Sequence, residues 1–442
     1  MPNARSWIPA FAGMTTIPLL EFFIEPMTRK TNGAGPLRPL RTSPVLTPTF
    51  LFYLGSRFCS AAAMTMFRAA IAWHVFDLSH SAFHLGLIGL VQFIPALTLT
   101  LVGGAVADSY DRRTVMMLAQ VVPLLCSAVL FLLTRSGLVT LPLIYALILL
   151  VATAAAFDSP SRAALLPTLV SRDIFPRAVT IASTAQALAF VTGPATGGLI
   201  IAESGIGTVY AVYGTLILGS LSMLAFIHPQ HTERSQRAVS WQAIREGLSF
   251  VRRQHVILGC MTLDMFAVIF GGANALLPIY ANEILHVGAR GYGLLTSSLE
   301  LGALLTSLVL ITVPTIRHAG RALMIAVVAY GLATIVFGLS RWFPLSVLAY
   351  MAVGVADQIS VVMRSTTIQL STPDALRGRV SSVNFIFIGA SNQLGAVESG
   401  FVAALTSAPF AVVSGGVGCL IVLAIVAVTL PELRRYRIDK GS

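Results

Sequence analysis

A run of about twelve apolar segments, each near the ~20 residues that carry a helix across ~30 Å of hydrocarbon, fills this chain from residue 48 to residue 430. A lipid interior offers no partner to a bare backbone, so such segments are committed to helix. The expected spans are 48–75, 82–107, 114–134, 140–157, 178–202, 208–228, 256–284, 291–313, 321–340, 343–365, 380–404 and 409–430. Of the 29 lysines and arginines, 24 lie in the N-terminal segment, the even-numbered gaps and the C-terminal segment. The odd-numbered gaps hold only Arg135, Arg290 and Arg341, while Arg57 and Arg68 fall inside the first span. Basic residues flanking short loops stay cytoplasmic, which places both termini there. The expected fold is an all-α multi-pass protein of the bacterial inner membrane.

The charge balance fits that setting. A net charge of +11 in a soluble chain would suggest nucleic acid, but here only 11% of residues are charged, against about a quarter in soluble domains. The positive charge sits in short loops facing anionic lipid, so the bilayer is the expected partner and nucleic acid is not. Cys59, Cys126, Cys260 and Cys419 all lie in spans with no paired spacing and read as small buried apolar groups. His74, His80 and His84 cluster near the ends of the first two spans without matching a metal motif, so no metal is expected. No phosphate-binding Walker loop is present, which excludes an ATP-driven pump within this chain, and no cofactor is expected.

The ends and the middle read as cytoplasmic. Residues 1–47 form an N-terminal tail in which Trp7 to Leu20 is apolar but too short and proline-broken to span, and Met27 is a plausible alternative start. Residues 229–255 separate a first bundle, 48–228, from a second, 256–430, with a tail at 431–442. Trp241, Ile244, Leu248 and Val251 recur at helical spacing opposite Arg245, Arg252 and Arg253, the pattern of an amphipathic linker helix on the cytoplasmic surface.

The two bundles echo each other. Arg162 and Arg364, Gly193 and Gly395, and Gly198 and Gly400 are each 202 residues apart. Two six-helix repeats with a site between them form a transporter architecture. Gly193, Pro194, Gly197 and Gly198 also form a motif that permits helix bending or close approach.

The stretch Gly104-Ala105-Val106-Ala107-Asp108-Ser109-Tyr110-Asp111-Arg112-Arg113 resembles the loop signature of the major facilitator superfamily. Phe157-Asp158-Ser159-Pro160-Ser161-Arg162, Leu263-Asp264, and the run from Asp357 through Arg364, Arg377-Gly378-Arg379 and Gly395 to Gly400 resemble the branch that holds macrolide and enterobactin exporters. That resemblance implies a monomeric carrier with twelve helices that exchanges small molecules for protons. It also implies a cytoplasmic gate at Gly104, Asp108, Arg112, Arg113, Asp158 and Arg162, in which Arg112 and Arg113 pair with Asp158 or with lipid headgroups. The resemblance departs on helix 4, where Leu141 to Phe157 lacks the arginine tied to proton coupling, and the antiporter signature on helix 5 is only partly present.

Carboxylates inside spans are costly and mark pathways. Asp264, Glu300, Asp357 and Glu398 are therefore the proton-coupling candidates, Asp264 first among them, with Arg57, Arg68 and Arg364 as possible partners and Glu300 placed to shape substrate choice. Asn274, Gln358 and Asn392 complete an expected lining that is apolar with a few acids and amides, suited to hydrophobic or weakly cationic compounds. Export of small amphipathic compounds, drugs or siderophore-like molecules, is the leading expectation. An uptake or facilitated-diffusion carrier shares these features, whereas a membrane enzyme would need a clustered catalytic motif and a scaffold would not need intramembrane acids. The topology is open to a direct check. In a background without native cysteines, Ser136→Cys should react with an impermeant thiol reagent from outside and Ser235→Cys should not; the reverse pattern would invert the orientation.

Overall fold

The computed structural model describes residues 47–171, 173–227, 241–313, 316–373 and 376–437, with side chains left out at 100, 101, 108 and 241–244. The N-terminal tail, most of the linker and the chain end therefore lie outside the described residues.

Helix α1 (Pro48–Ser79) begins where the Thr47 hydroxyl accepts from the Phe50 N–H at 3.2 Å, with Pro48 at a position whose missing N–H costs nothing. The second span is broken into α2 (Ala82–Thr98) and α3 (Thr100–Ser109). Pro95 removes one donor there, yet the Leu99 and Gly103 amides still reach the Pro95 and Leu99 carbonyls, so the break is a kink. Helices α4 (Arg112–Arg135), α5 (Leu141–Leu165), α6 (Phe175–Ser204) and α7 (Ile206–Ala225) complete the first half. The linker helix α8 (Trp241–Arg253) leads into α9 (His255–Phe270), which continues through a 3-10 turn, Ala273–Leu276, and a π turn, Tyr280–Ile284. Then follow α10 (Gly288–Thr312), α11 (Ala319–Leu339), α12 (Phe343–Leu370), α13 (Arg377–Leu405), α14 (Ala408–Thr429) and the short α15 (Pro431–Arg435).

Among the described residues, ten helical segments are long and apolar enough to cross a membrane. The other two expected spans are also helical: 82–107 is the kinked α2–α3 pair, and 380–404 lies in α13, whose polar residues include Arg379, Asn384, Asn392, Gln393 and Glu398. Two spans run well past their expected C-terminal ends. The fourth continues to Leu165 and the tenth to Leu370, so Arg162 and Arg364, which the charge pattern assigns to loops, are buried inside helices.

Packing divides the molecule unevenly. At the end that the charge pattern reads as outer, one core runs through both halves, from Met66, Phe67, Ile71 and Tyr213 to Tyr280, Tyr292, Phe337 and Tyr350. At the other end there are two separate cores. Phe50, Tyr53, Met116, Leu165 and Leu224 belong to the first half, and Ile257, Leu263, Leu323, Val380 and Leu433 to the second.

The halves meet along α2 with α13 and α6 with α10, and both seams are built on glycine. A Cβ at Gly198 would lie 2.6 Å from the Gly293 Cα, and one at Gly86 would lie 3.1 Å from the Gly400 Cα. Small residues allow the backbone approach that drives helix association in lipid. The Gly193–Gly198 motif thus serves packing: Gly193 and Gly197 fit against α1 and Gly198 against α10, while α6 runs unbroken through Pro194. The inner segment α3 packs on α5.

The linker helix rests on the second half. Val251 enters the inner core, Glu246 pairs with Arg379, and Gly247 lies against the Arg379 carbonyl, while Leu248 is exposed. Its amphipathic face is therefore partly spent on protein, and the side chains of Trp241 and Ile244 lie outside the described residues.

Crowding predicts unequal glycine substitutions. Gly198→Leu should destabilise the protein by about 1–3 kcal/mol through overpacking, read as a lower melting temperature in detergent. Gly104→Ala, which meets no heavy atom within 4 Å, should leave it unchanged.

Candidate functional site

Between the halves, near mid-depth, three charged side chains come together. Glu300 of α10 lies within electrostatic reach of Asp357 on α12 and of Arg68 on α1. Both carboxyl residues are half-buried, whereas Arg68 is open to a cavity. Glu300 thus has a carboxylate on one side and a guanidinium on the other, and a single proton on either acid would remove the repulsion between the two acids. Glu398 stands apart on the outer part of α13, accepting from the Ser399 hydroxyl at 3.3 Å.

Asp264, the first proton-carrier candidate, is already neutralised. It forms an ion pair with Arg364 across α9 and α12, with Arg364 only 3% and Asp264 7% exposed. Arg364 is therefore held by Asp264, and no ion pair joins it to Asp357 seven residues earlier on its own helix. A pair buried this deeply is an internal tie of the second half.

The first half carries a cavity of about 390 Å³ lined by α1, α4, α5, α6 and α7. Arg57 reaches across it, donating to the Gln186 side-chain carbonyl and, at 3.2 Å, to the Tyr53 hydroxyl. Asp158 sits on its wall and accepts from Arg162 at 3.2 Å and from Gln120 at 3.0 Å. Of the span-one arginines, then, Arg57 has neutral partners and Arg68 faces Glu300. The amides expected to line a site, Asn274, Gln358 and Asn392, are not part of this cavity.

The loop signature is built differently from its expected pairing. Arg112 donates to the Ala164 carbonyl at 2.7 Å and Arg113 to the Ala225 carbonyl at 2.6 Å, so each guanidinium caps a helix C-terminus, of α5 and α7. Cations belong at that end of a helix dipole. Asp158 is left to Arg162 and Gln120. Asp111 is the N-cap of α4, its carboxylate accepting from the Thr114 N–H at 2.9 Å. That role was legible as an Asp three residues before a Thr at a helix start. Asp108 lies in α3, but its side chain is outside the described residues, as are Arg172 and Asp374.

The histidines near the outer end bond tyrosines: His74 with Tyr210 at 2.8 Å and His84 with Tyr145 at 2.9 Å. Among the described residues, no three His, Cys, Asp or Glu side chains gather as a metal site would require.

The family described as transmembrane secretion effector, of the major facilitator superfamily, matches residues 39–439. The chain belongs to this family. Curated relatives agree: the enterobactin exporter EntS of Escherichia coli O81 (strain ED1a) is 26% identical over 405 residues, covering 90% of this chain and 94% of the relative. The enterobactin exporter EntS of Escherichia fergusonii is also 26% identical over 405 residues, with the same coverage. Among solved structures, the nucleoside transporter NupG superposes with a TM-score of 0.65 at 15% identity, covering 88% of this chain and 100% of that one. A POT family transporter in complex with a thioalcohol-conjugated peptide gives 0.68 at 12%, covering 87% and 96%. Those two likenesses establish the fold alone. As a transmembrane secretion effector of the major facilitator superfamily, the protein is a multi-pass membrane transporter of small molecules and not an enzyme.

The buried pair of this facilitator protein generates a stability prediction. Arg364→Met leaves Asp264 uncompensated and should cost about 3–5 kcal/mol, whereas Asp264→Leu combined with Arg364→Met should recover most of it. Melting temperatures of the purified variants report the difference; equal losses in single and double variants would show that the pair is not the tie described.

Proposed function

We propose that the protein exports small amphipathic compounds by alternating access, driven by protons moving inward. The observation that carries this reading is the uneven core: one packed mass joins the halves at the outer end, and two separate masses leave the inner end divided. With both termini cytoplasmic, as the charge pattern proposes, this state offers its site to the cytoplasm. The outer seams are close glycine contacts that let the two backbones approach directly. The loop from Gly104 to Arg113 ties the inner ends of α5 and α7 together, so the first half can move as a unit. The outward direction is supported by the enterobactin exporters to which the chain is similar.

Proton coupling rests on Glu300 and Asp357. Glu300 faces Arg68 of the other half and Asp357 stands beside Glu300, so gaining or losing a proton changes the attraction between halves. Asp264 suits the role less well, because Arg364 already neutralises it.

Inverted vesicles with an imposed pH gradient test the reading, with fluorescent dyes, macrolides and catecholate siderophores as candidate cargo. Uptake that collapses on adding an uncoupler is expected, and Glu300→Gln should abolish the gradient-driven part while leaving exchange. Movement only inward in whole cells, or undiminished proton-driven uptake in both Glu300→Gln and Asp357→Asn, would overturn direction or coupling respectively.

A further inference from the structure

The cavity in the first half has more hydrogen-bonding capacity than the fold uses. Gln120, Arg162 and Tyr213 line it at 3%, 7% and 1% exposure, and each leaves a buried polar atom without a partner: Gln120 Oε1, Arg162 Nη1 and the Tyr213 hydroxyl. The Nε of Arg57 is unpartnered as well, and among the described residues Arg68 has neither a hydrogen bond nor an ion pair within 4 Å. Buried polar groups are ordinarily satisfied, so several orphans around one space call for a ligand.

Charge decides the sign of that ligand. Arg57, Arg68 and Arg162 face the cavity, against Asp158 on its wall and Glu300 beyond Arg68. Arg162 is neutralised by Asp158, and Arg68 is offset at longer range by Glu300. Arg57, whose partners are an amide and a phenol, retains an uncompensated charge. A cation inside a membrane span is expensive without a counter-ion. Guanidinium groups also hold carboxylates and phenolates better than any other side chain.

The remainder of the wall is apolar, with Met64, Val151, Phe190 and Ile217 able to cover an aromatic ring. The volume of about 390 Å³ lies in the range of small-molecule pockets. We infer that this cavity binds an aromatic acid, its anionic group held by Arg57 and Arg68 and its ring laid on the apolar wall. Gln120 Oε1 is then placed to accept from a ring hydroxyl, and Tyr213 to donate. This reverses the expectation of weakly cationic cargo, because none of the four intramembrane acids Asp264, Glu300, Asp357 and Glu398 lines this cavity, whereas Arg57 and Arg68 do. The site rests on the export reading only for its role as the cargo's entry point.

The test uses the full chain purified in a non-ionic detergent, with salicylate as the acid probe and salicylamide as its uncharged counterpart, read by calorimetry. Salicylate should bind at least tenfold more tightly than the amide. Arg57→Gln and Arg68→Gln should each remove that preference while leaving the amide's weak binding unchanged, and Arg57→Lys should keep part of it. If Arg57→Gln does not fold, Arg68→Gln decides alone, since Arg68 makes no hydrogen bond that the fold needs. Equal affinities for acid and amide, or an unaltered preference in the variants, would overturn the proposal. The vesicle assay separates the two readings. Arginine-dependent salicylate binding without proton-driven uptake of any cargo sinks the export reading and leaves the site, and proton-driven uptake of dyes without acid preference does the opposite.

Discussion

Everything in this protein depends on how closely two helix bundles can approach in a medium where apolar side chains gain little by leaving lipid for one another. Association there needs backbone proximity, and proximity needs the absence of Cβ atoms. Gly198 against Gly293 and Gly86 against Gly400 meet that need at one end of the molecule. A single core forms around those seams, whereas at the opposite end the described residues form two separate cores. An opening on one side follows from the position of four glycines.

The charged groups are sorted by the same architecture. Those within a half are closed: Asp264 with Arg364, Asp158 with Arg162 and Gln120, and Arg112 and Arg113 on helix C-termini. Those facing the space between halves, or the cavity in the first, are open: Glu300, Asp357, Arg68 and Arg57. A rigid body needs its internal charges neutralised, because an unpaired charge in lipid is costly. A carrier needs a few charges whose partners change. The division between the two sets is the physical basis for reading the first as structural and for the transport role proposed for the second.

The outer face has ties of a third kind. Arg290 pairs with Glu203 between α10 and α6, both more than half exposed, and the Tyr292 hydroxyl donates to the Ala69 carbonyl at 3.0 Å across the halves. An exposed ion pair contributes little, near 0–1 kcal/mol, so it can break in each transport cycle without a large barrier. The buried tyrosine contact is the stronger tie of the two, being shielded from water.

Much of this was legible before any coordinates. Hydrophobic length placed the spans, because about twenty apolar residues can satisfy their backbone in lipid only as helix, and the arginine distribution proposed which ends face the cytoplasm. The 202-residue repeat showed two related halves and marked the glycines. What the sequence could not show was pairing. Arg364 lies two turns from Asp357 on one helix, yet it meets Asp264 on another, because the facing of two helices is set by packing across the bundle. Arg112 and Arg113 looked like partners for Asp158 and instead close helix ends, since a carbonyl left bare at a C-terminus exists only once the neighbouring helix has stopped there. Arg162 and Arg364 read as loop charges because a charge ends a hydropathy run, whereas the folded helix continues beyond it and buries both. Composition and periodicity dictated helices and repeat through local physics. The choice of partner for each charge, and with it the cationic cavity, belonged to tertiary contact alone.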